Sequence, residues 1–295
     1  MDSLFNNYIL FWVCILGLCL GSFYNVVILR SLSGESIVFP PSKCPKCGNK
    51  LKPWHNIPVL SYIFLRGKCA FCKEKISIQY PLIELTTMIL FAVSFLKCGL
   101  SLTTIFSIII CSCLLIMTTT DIKEKLVDCN IAIGLGIVGL AFNHNLDSIL
   151  GLIAGVLLLE IIAALGHLFK KGRATGEADT YLAGALGACF GLSGLGYILI
   201  YSLFASMIFV VPAFLHNNYK KGNKAVCILF ILFTLSALIF KTLIQNYFTF
   251  ALLAGLGLIL SITILKSLRK EQNPIYLPLF PAFTLGTLFY LFYHM

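Results

Sequence analysis

Charge is scarce in this chain. Only 12% of its 295 residues are Asp, Glu, Lys or Arg, against 59% apolar residues and a mean hydropathy of +0.93. That composition excludes a soluble globular domain, whose surface needs far more ionised groups. A strict apolar–polar alternation is also missing, so the membrane-crossing segments are not strands. Low-complexity tracts and clear internal repeats are lacking as well. What the chain does have is a series of apolar runs near or above the roughly 18 residues that a spanning helix needs. The first, near 8–29, is too long for a signal-peptide core and has no basic segment before it, so it reads as a retained helix.

The remaining runs extend this to about ten helices with both termini outside. Their approximate spans are 8–29, 81–97, 101–120, 129–142, 148–169, 180–192, 196–214, 225–241, 247–265 and 275–293. The expected fold class is an all-α polytopic membrane protein, a bundle of about 8–10 transmembrane helices. The formal net charge of +10 suggests nucleic acid until its distribution is seen. Twenty of the 22 Lys and Arg fall in alternate loops, nine of them between Arg30 and Lys75, and only Lys97 and Lys241 lie elsewhere. This is positive-inside bias, which makes those loops cytoplasmic and argues against a nucleic-acid partner. The partner implied instead is the lipid bilayer.

The one sizeable polar segment is 31–80, too short to fold alone without a staple. It contains Cys44-Pro45-Lys46-Cys47 and Cys69-Ala70-Phe71-Cys72. Two Cys-x-x-Cys pairs at this separation match a four-cysteine zinc site, and a cytoplasmic setting disfavours disulfides. Four thiolates leave no open coordination position, so the zinc expected at Cys44, Cys47, Cys69 and Cys72 is structural. His55 is read as a loop residue rather than a ligand. The expected organisation is therefore a first transmembrane helix over 1–30, a cytoplasmic zinc-binding loop domain over 31–80 and a helical membrane domain over 81–295.

Two acids stand where long apolar runs meet basic loops. Asp121 closes the run that ends at Thr120, and Asp179 follows Lys170, Lys171, Arg173 and Gly176-Glu177-Ala178. Ionisable groups at membrane depth are costly and therefore functional candidates. Two carboxylates that meet at one water are the equipment of an aspartic protease. The bland alternatives are a solvated helix end for Asp121 and a helix N-cap for Asp179, with Gly176 supplying backbone freedom. Glu124 and Asp128 fit the bland reading. Glu84 and Glu160 also fall inside apolar runs, and Glu160 is expected to face the bundle interior. These two would suit a proton-coupled transporter, the competing class together with an inactive peptidase-like scaffold. No paired broken helices in matching halves support the transporter.

Several strings together resemble the type IV prepilin peptidases. They are Gly21-Ser22-Phe23-Tyr24-Asn25, Ser42-Lys43-Cys44-Pro45-Lys46-Cys47, Asn56-Ile57-Pro58-Val59-Leu60-Ser61, Leu65-Arg66-Gly67-Lys68-Cys69 and Tyr80-Pro81-Leu82-Ile83-Glu84-Leu85. Gly176-Glu177-Ala178-Asp179 is similar to that family's Gly-x-Gly-Asp motif, and Leu277-Pro278-Leu279-Phe280-Pro281 to its last helix. Ala178 departs from the motif's second glycine, and Tyr181 stands where the family has lysine. The resemblance implies catalytic Asp121 and Asp179 and cleavage of the basic leader from prepilins or pseudopilins at the cytoplasmic face of the bacterial inner membrane. Many members then methylate the new N-terminus with S-adenosylmethionine, so that cofactor is implied too, although the sequence has no glycine-rich fingerprint for it. The family is an eight-helix bundle, which makes 225–265 an extra helical hairpin.

Overall fold

A computed structural model describes residues 2–39, 41–124, 127–170, 176–220 and 280–294. The regular elements among the described residues are helices, with two isolated antiparallel bridges in the loop and no strand. The helices are α1 (Asp2–Ser33), α2 (Leu60–Phe64), α3 (Gln79–Cys98), α4 (Leu102–Glu124), α5 (Cys129–Asn143), α6 (Leu146–Lys170), α7 (Glu177–Lys220) and α8 (Phe280–His294). Among the described residues five are long and apolar enough to cross a membrane, within α1, α3, α4, α6 and α7. In lipid a backbone must satisfy its own polar groups, and helices do so within one segment. The chain is an all-helical, multi-pass membrane protein. The helices expected at 225–241 and 247–265, and with them the proposed hairpin, lie outside the described residues.

Polar residues set the helix ends. Asp128 caps α5, its Oδ1 accepting from the Asn130 backbone N–H at 2.9 Å. Gly99, at φ 62°, closes α3 and donates to Phe95 O. The helices expected at 180–192 and 196–214 are not separated by a loop. They are two helices that meet at a kink within α7, where Gly191 leaves helical geometry (φ 72°, ψ −178°). A residue without Cβ takes this positive φ at no steric cost, so one glycine replaces a connecting loop.

The chain divides into two compact units, Met1–Ala205 with Pro278–Met295, and Ser206–Leu277. All candidate site residues belong to the first. Its core joins Ile110, Leu114 and Met117 of α4 with Leu135 of α5, Leu182 and Leu186 of α7, and Phe283 of α8. Close backbone approach underlies two of its seams. Gly17 and Gly21, four apart on α1, meet α3 so closely that a Cβ on either would lie 2.7 Å from Cα of Met88 or Glu84. Gly151 and Gly155 on α6 meet the backbone of Gly187 and Ala183 on α7 in the same manner. Such small-xxx-small spacing lets membrane helices pack backbone to backbone. Gly187→Leu is therefore predicted to push α6 from α7 and to destabilise the unit by roughly 1–3 kcal/mol or more. Thermal unfolding in detergent measures this, and a wild-type melting temperature would refute the seam.

Candidate functional site

The four sequence-selected cysteines come together. Cys44, Cys47, Cys69 and Cys72 place their sulfurs within 4.8 Å of one another, with Cys44 and Cys72 Sγ 3.9 Å apart. A tetrahedral tetrathiolate with metal–sulfur bonds of about 2.3 Å has sulfur–sulfur edges of about 3.8 Å, so the donor set fits a metal ion. Every described cysteine is a free thiol. His55 is not in the cluster; its ring packs edge-on against Phe71.

Two matched turns build the cluster. Cys44 N–H donates to Asn49 O and Gly48 N–H to Cys44 O, at 3.0 and 2.9 Å. Cys69 N–H donates to Glu74 O and Lys73 N–H to Cys69 O, at 2.8 and 3.2 Å. Antiparallel bridges Lys43–Lys50 and Lys68–Lys75 close the two turns. The residue after each second cysteine has positive φ: Gly48 at 70° and Lys73 at 60°. Glycine fits that conformation freely and lysine is strained in it, so the second turn needs the fourfold sulfur contact more than the first. The backbone N–H groups of Cys72 and Phe71 hold the Cys69 thiol down to about 7. The Glu74 N–H lowers Cys72, but burial and the neighbouring thiols outweigh it and push that group up to about 11. One of the four therefore ionises well before another, as expected of thiols sharing one site.

Glu84 and Asn25 tie this loop to the helices. The Val59 backbone N–H donates to Glu84 Oε2 at 2.7 Å, and Val59 sits at φ 60°, ψ −48°, unusual for a β-branched residue. Asn25 Nδ2 donates to Gly21 O and Tyr80 O, both at 3.2 Å. Glu84 is thus committed to the loop backbone, which removes half of the acid pair that suited a transporter. Glu160 corrects the other half: it is exposed, not interior. The buried stripe of α6 runs through Gly151, Gly155, Leu159 and Ala163, which turns the residue after Leu159 away from the bundle. Glu84→Leu is predicted to leave the Val59 N–H without its acceptor and to cost roughly 1–3 kcal/mol, whereas Glu84→Gln keeps an acceptor. Limited proteolysis of the loop in detergent tests this; equal resistance of both variants would remove the latch.

Asp121 and Asp179 are both buried, 2% and 8% exposed. Asp121 lies in the last turn of α4, and the next three residues are exposed. Asp179 is not the N-cap of the bland alternative. Helix α7 starts at Glu177, so Gly176 occupies the cap position and its N–H donates back to Asp179 Oδ2 at 2.9 Å. This is the acidic half of a capping box, in which a third-position acid reaches back to the cap. A Cβ at Gly176 would lie 3.1 Å from Asp179 Oδ2, so the missing side chain leaves room beside the carboxylate. Ala178 is inside the helix and packs on the core, a position where alanine outperforms glycine. The two carboxylates, 58 residues apart in sequence (179 less 121), are close enough to repel each other electrostatically.

The surroundings contain hydroxyls that sequence reading passed over. Thr118 and Thr284 are hydrogen-bonded between α4 and α8. Thr180, beside Asp179, is buried with no hydrogen-bond partner among the described residues. Thr120 bonds back to Met117 O at 2.9 Å. Of the nearby acids, Glu124, Asp128 and Glu177 are exposed, and Asp128 is occupied as a cap. A pair of buried, mutually repelling carboxylates at one end of a helical bundle can hold and polarise a water molecule.

Comparison with known proteins matches residues 15–98 to the bacterial peptidase A24 N-terminal domain and residues 108–211 to the type IV leader peptidase family. The chain is 34% identical over 224 residues to the prepilin leader peptidase/N-methyltransferase of Neisseria gonorrhoeae, covering 66% of this chain and 78% of that protein. The protein of the same name from Bacillus subtilis is 34% identical over 213 residues, covering 70% and 84%. That from Myxococcus xanthus is 34% identical over 199 residues, covering 65% of this chain and 58% of its own length. No solved structure matches.

Proposed function

Because the chain belongs to the type IV leader peptidase family, we propose that it is a membrane aspartic endopeptidase that removes the basic leader from type IV prepilins and pseudopilins. The observation that carries this reading is the buried pair Asp121 and Asp179, within electrostatic range of each other. Two such carboxylates divide the proton work of amide hydrolysis. One removes a proton from a water held between them as its oxygen attacks the scissile carbonyl. The other gives a proton to the departing amide nitrogen. Burial keeps competing solvent out and favours one proton shared by the pair, so that one group is the carboxylate base and the other the acid. The Gly176 N–H fixes one oxygen of Asp179, leaving the carboxylate in a set orientation.

The membrane is the bacterial inner membrane, and the basic loops face the cytoplasm by their lysine and arginine content. The four-cysteine cluster holds structural zinc, bound by Cys44, Cys47, Cys69 and Cys72, and takes no part in the hydrolysis because all four positions are filled by protein. Methylation of the new N-terminal amine belongs to the same reading, with S-adenosylmethionine as the source of the methyl group. The described residues include no glycine-rich turn suited to that cofactor, and no step of methyl transfer is assigned to them. Mass spectrometry of a co-expressed pilin-like precursor reads both activities together. Loss of the leader mass supports the peptidase, a further methyl mass supports the transferase, and an unaltered precursor overturns the reading.

A further inference from the structure

The loop between α1 and α3 exposes an apolar face that neither the metal cluster nor the carboxylate pair uses. Helix α2 is only Leu60–Phe64, yet Leu60, Ile63 and Phe64 are 52%, 61% and 80% exposed, and Ile57 just before it is exposed as well. The spacing i, i+3 and i+4 puts Leu60, Ile63 and Phe64 on one side of α2. The half-buried Tyr62 packs instead toward Gly67 within the loop.

Three observations identify what covers this face. Its level along α3 is set by the Glu84 latch. Val59, immediately before α2, is hydrogen-bonded to Glu84, which lies five residues past Gln79, the first residue of a membrane-crossing helix. At about 1.5 Å per residue, that level is roughly 7 Å along α3 from its start. Interfacial helices bury their apolar face about 5–10 Å into the headgroup–acyl boundary. The face is also continuous in kind with α3, which leaves Leu82, Leu85 and Ile89 exposed. Finally, exposed Lys52, Arg66 and Lys68 stand on either side of the face in the sequence, and such cations complement lipid phosphates at a bilayer surface. The same cations disfavour a basic leader peptide as the occupant.

We propose that α2 is an interfacial membrane anchor, its face of Leu60, Ile63 and Phe64 lying in the headgroup–acyl boundary of the bilayer that α3 crosses. The metal-binding loop is thereby held against the membrane surface at two linked points, the Glu84–Val59 hydrogen bond and this apolar face. The inference needs only the membrane setting and stands whether or not the carboxylate pair is catalytic.

The test uses the full chain with Trp12→Phe, Trp54→Phe and Phe64→Trp, reconstituted in vesicles of phosphatidylethanolamine and phosphatidylglycerol. Bromine on the acyl chains near the glycerol end is expected to lower the indole emission at least about twofold, while aqueous acrylamide quenches it weakly. Acrylamide quenching like that of free tryptophan, with no effect of bromine, would overturn the proposal. Shielding from both quenchers without substrate would also overturn it, because another part of the chain then covers the face. So would shielding that arises only when a pilin-like precursor is added, which would make the face a substrate-docking surface. Ile63→Trp in the same background reads the same face if the first variant fails to fold.

Discussion

Asp121→Asn and Asp179→Asn are each expected to lower leader cleavage by at least about 10³-fold, since each removes one partner in the proton transfers on which hydrolysis depends. Both substitutions preserve size, so membrane insertion and the core around Met117 and Leu182 should survive. The Asp179 change is especially clean. An asparagine side chain still offers an oxygen to the Gly176 N–H, so the start of α7 keeps its capping bond while the ionisable group is lost. Neighbouring acids supply the controls. Glu124 and Glu177 are exposed, and their amides should process precursor at nearly wild-type rate. Asp128→Ala should lose a helix cap, a cost of about 1 kcal/mol, without losing chemistry. The measurement is the rate of leader loss from a purified precursor at equal amounts of inserted enzyme. Near wild-type processing by either asparagine variant would remove that aspartate from the mechanism. A loss equally deep in Glu124→Gln or Glu177→Gln would mean that the basic loops, rather than a buried pair, govern the rate.

The parts of the site legible in sequence are those set by composition and local spacing. Apolar run length predicts helices because lipid offers the backbone no alternative partner, and the short fourth run is correspondingly the 15-residue α5. The cysteine quartet is legible because each half is a local Cys-x-x-Cys turn, and only the meeting of the halves is long-range. Asp121 and Asp179 could be selected by the cost of charge at membrane depth. Their burial and mutual proximity depend on packing among α4, α5, α7 and α8, which no local pattern specifies. The errors share that origin. Glu160 was expected inside because an acid avoids lipid, but the glycine seam of α6 fixes which side is buried. Asp179 looked like a cap because Asp favours that position, yet α7 begins two residues earlier and uses it as the reciprocal acceptor. The seam itself had a readable signal, glycines four apart at 17 and 21 and at 151 and 155, that helix counting passed over. The partner of Glu84 had none, since a backbone N–H carries no sequence mark.

Purified protein is expected to contain about one zinc per chain, and Cys44→Ser, Cys47→Ser, Cys69→Ser or Cys72→Ser should each remove nearly all of it. A serine oxygen stays protonated near neutral pH and is a poor donor to zinc, so one replacement leaves an incomplete tetrahedron. The effect should extend beyond the metal. The two turns hold their positive-φ residues, Gly48 and Lys73, by few hydrogen bonds, and segment 31–80 has little core of its own. Without the ion the segment should become sensitive to protease, more so at the strained Lys73 turn than at Gly48. The carboxylate pair lies among membrane helices, and the loop's ties to those helices run through Glu84 and Asn25 rather than through the sulfurs. Metal loss is therefore expected to open the loop while leaving the helical bundle folded. Elemental analysis with a thiol count decides the first point, and proteolysis with and without chelator decides the second. Because thiolates bind the ion and protons compete for them, chelator should strip it faster as pH falls. A metal-free preparation with all thiols reduced, full activity and a protease-resistant loop would sink the structural role of zinc.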